Sequence, residues 1–141
     1  MEASNGDHGL QGKFRRGWFD LVLSKYAIDV CGGIDSLAIT HADRFSHVDE
    51  WKICSAYRYE GTELDRIKPK RVLTDQGWQE DLTRQLFRAE PLYQKPPPSD
   101  KNDPTKYLGM LEDSLGIQIG LTSWGPTAGD KRTREKQSIA T

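Results

Sequence analysis

Apolar residues recur at Phe19, Val22, Leu23, Tyr26, Ala27 and Val30. Steps of three and four put them on one side of a helix, so Trp18 to Val30 is predicted to be helical. Gly32-Gly33 then offers residues free to take the left-handed backbone that ends helices. Ser36 to Thr40 (SLAIT) is short and mostly apolar, which suits a buried strand. Trp51 to Tyr59 (WKICSAYRY) predicts a second strand, closed by a turn at Glu60-Gly61. Leu82, Leu86 and Phe87 predict a partly helical stretch between Asp75 and Glu90. Residues 91–104 contain Pro96-Pro97-Pro98 and Asp103-Pro104 and read as an extended surface connection. Asp103 is placed to cap a helix that starts at Pro104. Tyr107, Leu108, Leu111 and Leu115 give that helix its apolar face, and Gly116 ends it. Ile117 to Ser123 (IQIGLTS) is the third predicted strand, broken at Gly125-Pro126.

Helix, strand, strand, helix, strand is an α/β order. Three apolar strands need cover on both faces, and two helices do not supply it. The expected fold is therefore the edge portion of a larger, mostly parallel sheet flanked by helices. The remaining strands would come from residues outside this chain. Residues 1–11 read as a flexible N-terminal tail, 12–128 as the α/β region and 129–141 as a charged C-terminal tail.

Composition narrows the classes of function. The chain has 141 residues, 35% hydrophobic and 29% charged, which suits one folded domain. Twenty basic residues against 21 acidic ones leave a net charge of -1, without the basic footprint of a nucleic-acid binder. No apolar run approaches the ~20 residues of a membrane helix. The polar start, Met1 to Gly9, lacks the apolar core of a signal peptide. A cytoplasmic protein with neither membrane nor nucleic acid as partner is expected. Cys31 and Cys54 form no C-x-x-C pair and read as buried thiols of a reducing compartment. His8, His41 and His47 show no ligand spacing, so no protein metal site is expected.

Three polar loops carry candidate chemistry. Lys13, Arg15 and Arg16 lie between Gly12 and Gly17, just ahead of a helix. Cations there suit phosphate or carboxylate, because arginine forks match those groups and a helix N-terminus favours anions. The alternative is a solvated basic loop. The phosphate-loop pattern G-x-x-x-x-G-K-[ST] is not met, since Phe14 follows Lys13. Thr40-His41-Ala42-Asp43 directly follows the SLAIT strand, where ligands of open α/β sheets sit. A carboxylate at Asp43 could accept both edge N–H groups of guanine, whereas adenine turns an acceptor toward it. The alternative is a turn-capping aspartate. Ser123-Trp124-Gly125-Pro126 closes the third strand. Gly125 there permits close approach to backbone, and Trp124 could stack on a base or belong to the core.

Several segments together resemble the adenylosuccinate synthetase family. GKFRRGWFD, from Gly12 to Asp20, is similar to its G-R-x-R-R-x-G-W-F-D segment with one residue fewer. LAITHAD, ending at Asp43, resembles its L-x-L-T-K-L-D strand and base-reading turn. KICSAYR, from Lys52 to Arg58, resembles its K-I-C-V-A-Y-R strand. Pro91-Leu92-Tyr93 matches a P-x-Y element, and Ser123-Trp124-Gly125-Pro126 matches its S-x-G-P turn. The resemblance covers roughly residues 12–127 in the family's order.

The resemblance implies the C-terminal portion of a ligase. In that reaction a nucleoside triphosphate phosphorylates the purine 6-oxygen of IMP, and the amine of L-aspartate then displaces the phosphate. Mg2+ neutralises the phosphates. By the same resemblance, Lys13, Arg15 and Arg16 would bind aspartate and nucleotide. Asp43 would take the triphosphate's base, with His41 where the family has lysine, and Ser123 and Gly125 would meet the same base. The family's phosphate loop, its aspartate base and its histidine acid have no matching motif here. No catalytic residue is therefore assigned, and the chain alone is expected to be inactive. The implied partners are a purine nucleotide, L-aspartate and the missing N-terminal half, as a homodimer when complete. Three departures stand out. His8-Gly9-Leu10-Gln11 replaces a threonine-rich approach to the first loop. His41 replaces lysine. THAD, with Gly125-Pro126-Thr127, resembles shorter archaeal and phage members. The phage type joins aspartate to dGMP and is associated with ATP or dATP in place of GTP. A non-catalytic nucleotide-binding module is the alternative reading, and an interaction protein using a sheet edge is a third.

Overall fold

The computed structural model describes residues 17–70, 75–96 and 103–133. Strand β1 (Phe19–Asp20) leads straight into α1 (Leu21–Val30). Asp20 makes that junction, because its side chain accepts from the Leu23 N–H and caps the helix. The helix ends at the predicted glycines. The Gly33 N–H reaches the Ile28 carbonyl at 3.0 Å and the Gly32 N–H reaches that of Asp29 at 3.1 Å. With φ of 76° at Gly32, this is a Schellman ending that few side chains would permit.

Next come β2 (Leu37–Ile39), a 3-10 turn (Ala42–His47), β3 (Ile53–Tyr59) and β4 (Thr62–Leu64). Glu60 and Gly61 both have positive φ, the two-residue turn that matches strand twist in a hairpin. Helix α2 (Gln76–Arg88) is capped by Asp75, and β5 (Glu90–Gln94) comes after it. Helix α3 (Thr105–Leu115) ends at Gly116 with φ of 68°, and its Asp103 side chain accepts from the Thr105 N–H. Strands β6 (Ile119–Ser123) and β7 (Lys131–Thr133) complete the described chain.

The class is α/β, as the order of elements implied. The pairing is mixed. In one sheet β3 is central, parallel to β1 and antiparallel to β4 and β5. In the other, β6 lies between parallel β2 and antiparallel β7. The three long apolar runs are the strands β2, β3 and β6. Antiparallel partners come from segments that read as turn, connection and tail. Lys131–Thr133, within the stretch read as a charged tail, pair with β6. Pro91, within the predicted connection, sits in β5, which pairs on one side only and so tolerates a missing N–H.

One core joins both sheets: Leu21, Trp51, Ile53, Tyr107, Leu111 and Ile119. Phe45, Trp51 and Tyr107 meet edge to face at centroid distances of 5.0–5.5 Å. A smaller core holds Val22, Cys54 and Tyr57, with Leu86 packed against it. Two expectations are corrected. Cys31 ends α1 and is exposed, so only Cys54 is a buried thiol, its pKa pushed up to about 11 chiefly by burial. Phe87 points out of α2 and is 87% exposed, so the inner face of that helix is carried by Leu82 and Leu86 without it. Among the described residues no helix is long and apolar enough to cross a membrane.

Candidate functional site at the carboxyl edge of a parallel strand pair

Parallel pairing of β2 with β6 sets Ile39 opposite Thr122. Both strands therefore leave the sheet at the same edge, one into Thr40-His41-Ala42-Asp43 and the other into Ser123-Trp124-Gly125-Pro126. The 3-10 turn packs against β6. Two motifs some eighty residues apart in sequence are thus neighbours at the edge where α/β sheets bind ligands.

The first turn begins at His41, whose φ of 60° is left-handed, a conformation histidine tolerates better than most side chains. Its carbonyl accepts from the Arg44 N–H at 2.9 Å, and its Nδ1 lies 3.0 Å from the Thr40 hydroxyl. Ala42 is fully buried and anchors the turn. Asp43 does not cap it: the capping position is His41, which makes no side-chain cap bond. The Asp43 carboxylate is one-third exposed (33%) and pairs with Arg44 Nε at 3.1 Å. Its backbone carbonyl accepts from Ser46 Oγ at 3.1 Å. The side chain therefore does not cap the turn and instead pairs with Arg44 at the edge.

The second turn is the hairpin loop between β6 and β7, which includes a 3-10 turn at Ala128–Asp130. Ser123 is buried, and its Oγ donates to the Gly125 carbonyl at 3.0 Å. Lys131 Nζ donates to Ser123 Oγ at 2.6 Å and to the Gly125 carbonyl at 2.8 Å. Across the loop, Asp130 accepts from the Thr127 N–H at 2.9 Å and from its hydroxyl at 2.6 Å. These bonds, with Lys131 adding its charge, hold the Asp130 carboxyl below the usual carboxylate range. Gly125 is required here, since a β-carbon would lie 2.6 Å from Asp130 Oδ2. Trp124 donates from Nε1 to Thr122 Oγ1 at 3.0 Å, and Arg132 lies 4.4 Å over its ring. One face of the indole is thus already covered.

Sequence reading placed His41, Asp43, Ser123 and Gly125 in one site, and the fold brings their turns together. The Ser123 hydroxyl is bonded within its own hairpin, to the Gly125 carbonyl and Lys131. Lys13, Arg15 and Arg16 lie outside the described residues. The chain immediately downstream of them is anchored at Asp20. Its Oδ1 holds the Leu23 N–H, and Tyr57, buried in β3, donates its hydroxyl to Asp20 Oδ2. Burial first, then that bond, raise the Tyr57 pKa. The sequence did not single out Asp20, Tyr57 or Lys131. The first two stand in segments that resemble family strings, but only the fold pairs residues that far apart. A groove of about 360 Å3 between α3 and the β6–β7 hairpin is lined by Leu108, Leu121 and Arg132, and by none of the four candidate residues. No cluster of three or more His, Cys, Asp or Glu fit for a metal occurs among the described residues.

Comparison with known proteins bears on what this edge does. The adenylosuccinate synthetase family model matches residues 6–131. A protein of Christiangramia forsetii named adenylosuccinate synthetase is 35% identical over 130 residues, covering 86% of this chain and 28% of that protein. One of Salinibacter ruber with the same name is 35% identical over 138 residues, covering 89% of this chain and 29% of its own length. A solved structure titled fully ligated adenylosuccinate synthetase from Plasmodium falciparum aligns with a TM-score of 0.62 at 20% identity. It covers 84% of this chain and 29% of that one, a likeness of fold. The chain thus spans somewhat over a quarter of the relatives it matches.

Proposed function

The chain belongs to the adenylosuccinate synthetase family, and on that premise we propose that it is the C-terminal, base-binding portion of a ligase. That ligase joins L-aspartate to a 6-oxopurine nucleotide, IMP or dGMP, with hydrolysis of a nucleoside triphosphate. The observation that carries this reading is the meeting of the Asp43 turn and the Ser123–Gly125 turn at one sheet edge. A carboxylate on one side of a base and a rigid backbone turn on the other form a recognition site for its edge. Lys13, Arg15 and Arg16 are proposed to take the anionic groups of aspartate and nucleotide. Mg2+ is proposed to neutralise the phosphates of the nucleotide, as in the family reaction.

The general acid and base are proposed to lie in the remainder of the synthetase, whose chain length this protein does not cover. The isolated chain should therefore form no succinylated purine nucleotide, and product should appear only when the remainder is supplied. Activity of the pure chain alone would overturn this division. The complete assembly is proposed to be a cytoplasmic homodimer. The triphosphate is proposed to be GTP. A second reading, with ATP or dATP as donor and dGMP as substrate, draws on His41 standing where a lysine is the family's residue.

Asp43→Asn separates the two readings. An amide accepts only one of guanine's two edge N–H bonds and turns a donor toward the other. Loss of a charged hydrogen bond should lower GTP affinity roughly ten- to a hundredfold, about 1.5–3 kcal/mol, with little loss for ATP. A thermal-shift panel with GTP, ATP, dATP, IMP and dGMP reads this directly, because a ligand of the folded state raises its melting temperature. Stronger stabilisation of the unmodified chain by ATP or dATP favours the second reading. Unchanged affinities in the Asp43→Asn variant would remove Asp43 from the site.

A further inference from the structure

We propose that Lys131 determines base specificity at this edge, its ammonium donating to the 6-oxo group of a guanine seated over the β6–β7 turn. The inference rests on the base-binding reading above and adds a residue to it.

The fold puts Lys131 in position. It pairs across the antiparallel ladder with Ser123, on the side of β6 away from β2. Asp43 comes after β2 on the other side, and β6 lies between. Adjacent strands are roughly 4.8 Å apart, so β2 and β7 lie about 10 Å apart across β6. The turn after β2, which carries Asp43, and the start of β7 at Lys131 stand at the same edge of the sheet, so the two charges can address one edge of a base.

The chemistry then selects the base. Lys131 Nζ sits at the turn, 2.6 Å from Ser123 Oγ and 2.8 Å from the Gly125 carbonyl. An ammonium has three N–H donors, and those two bonds leave one for a ligand. Lys131 is otherwise exposed, so that donor faces solvent at the site. Asp43 presents acceptors and Lys131 a donor. Guanine matches this order, with two N–H groups for the carboxylate and a 6-oxo acceptor for the ammonium. Adenine opposes it at both points, with a ring nitrogen toward the carboxylate and an amine toward the ammonium. The neighbouring cation Arg132 is directed to Trp124, which leaves Lys131 as the β7 cation held on the turn.

Calorimetric titration of the full chain with GTP and with ATP tests this, using the unmodified protein, Lys131→Met and Lys131→Arg. Lys131→Met should weaken GTP about tenfold or more and bring the GTP-to-ATP affinity ratio close to one. Lys131→Arg, which keeps the charge and the donors, should recover much of the ratio. Parallel losses for GTP and ATP in Lys131→Met would make Lys131 a strut of the hairpin and overturn the proposal while leaving the base site standing. The same holds if the ratio is unchanged. Failure of the chain, supplied with the remainder of the synthetase, to bind either nucleotide would overturn the base-binding reading itself, and this inference with it.

Discussion

Leu111→Ala is expected to destabilise the protein by about 2–5 kcal/mol, the range for removing a fully buried leucine from a core that relaxes only in part. Leu111 is wholly buried on α3, among Ile53, Ile119, Trp51 and Tyr107. That cluster is where α3 meets β3 and β6, so a cavity there loosens the attachment of both sheets. The melting temperature should fall by on the order of 10 °C. Phe87→Ala is the matched control. Phenylalanine is the larger apolar side chain, yet this one is 87% exposed and should change stability by less than about 0.5 kcal/mol. Denaturant melts of the two variants give the comparison. Similar losses from both would mean that the core is not built around α3.

The same contrast shows what periodicity can and cannot reveal. Apolar spacing located α1, α3 and the strands β2, β3 and β6, because each buries a face and must repeat to do so. It also marked Phe87, since spacing cannot tell an inner apolar residue from an outer one on a helix with no buried position. Strands β4, β5 and β7 left no such trace. Lys131, Arg132 and Thr133 are all exposed, so β7 exists through its hydrogen bonds to β6 and not through burial. Of the candidate site, the turns holding Asp43 and Gly125 were legible because each lies just past an apolar strand. Lys131 was not, because its role depends on cross-strand pairing with Ser123. Asp20 and Tyr57 were visible only as letters in family-like strings. The contact between them belongs to the parallel pairing of β1 with β3.

Asp20→Ala should be the second large loss, about 1.5–5 kcal/mol, the sum of two roles that cost about 0.5–2 and about 1–3 kcal/mol. One carboxylate oxygen caps α1 at the Leu23 N–H, and loss of such a cap accounts for the smaller share. The other accepts from the Tyr57 hydroxyl, which is buried and would be left without its acceptor, the larger share. Asp20→Asn keeps one acceptor oxygen, enough for either role but not both, and should lose less. Tyr57→Phe removes the donor and the need for it together, and should cost about 1 kcal/mol. The pH dependence supplies a further check. Burial and the Asp20 bond raise the folded Tyr57 pKa above its ordinary value near 10. Its contribution is therefore fully present below about pH 10 and is lost as pH rises through the folded value. Tyr57→Phe should lack that alkaline share of the decline, while Asp20→Ala should keep the part due to burial. Equal melting temperatures for Asp20→Ala and Tyr57→Phe would show that the cap contributes nothing and that Asp20 serves Tyr57 alone.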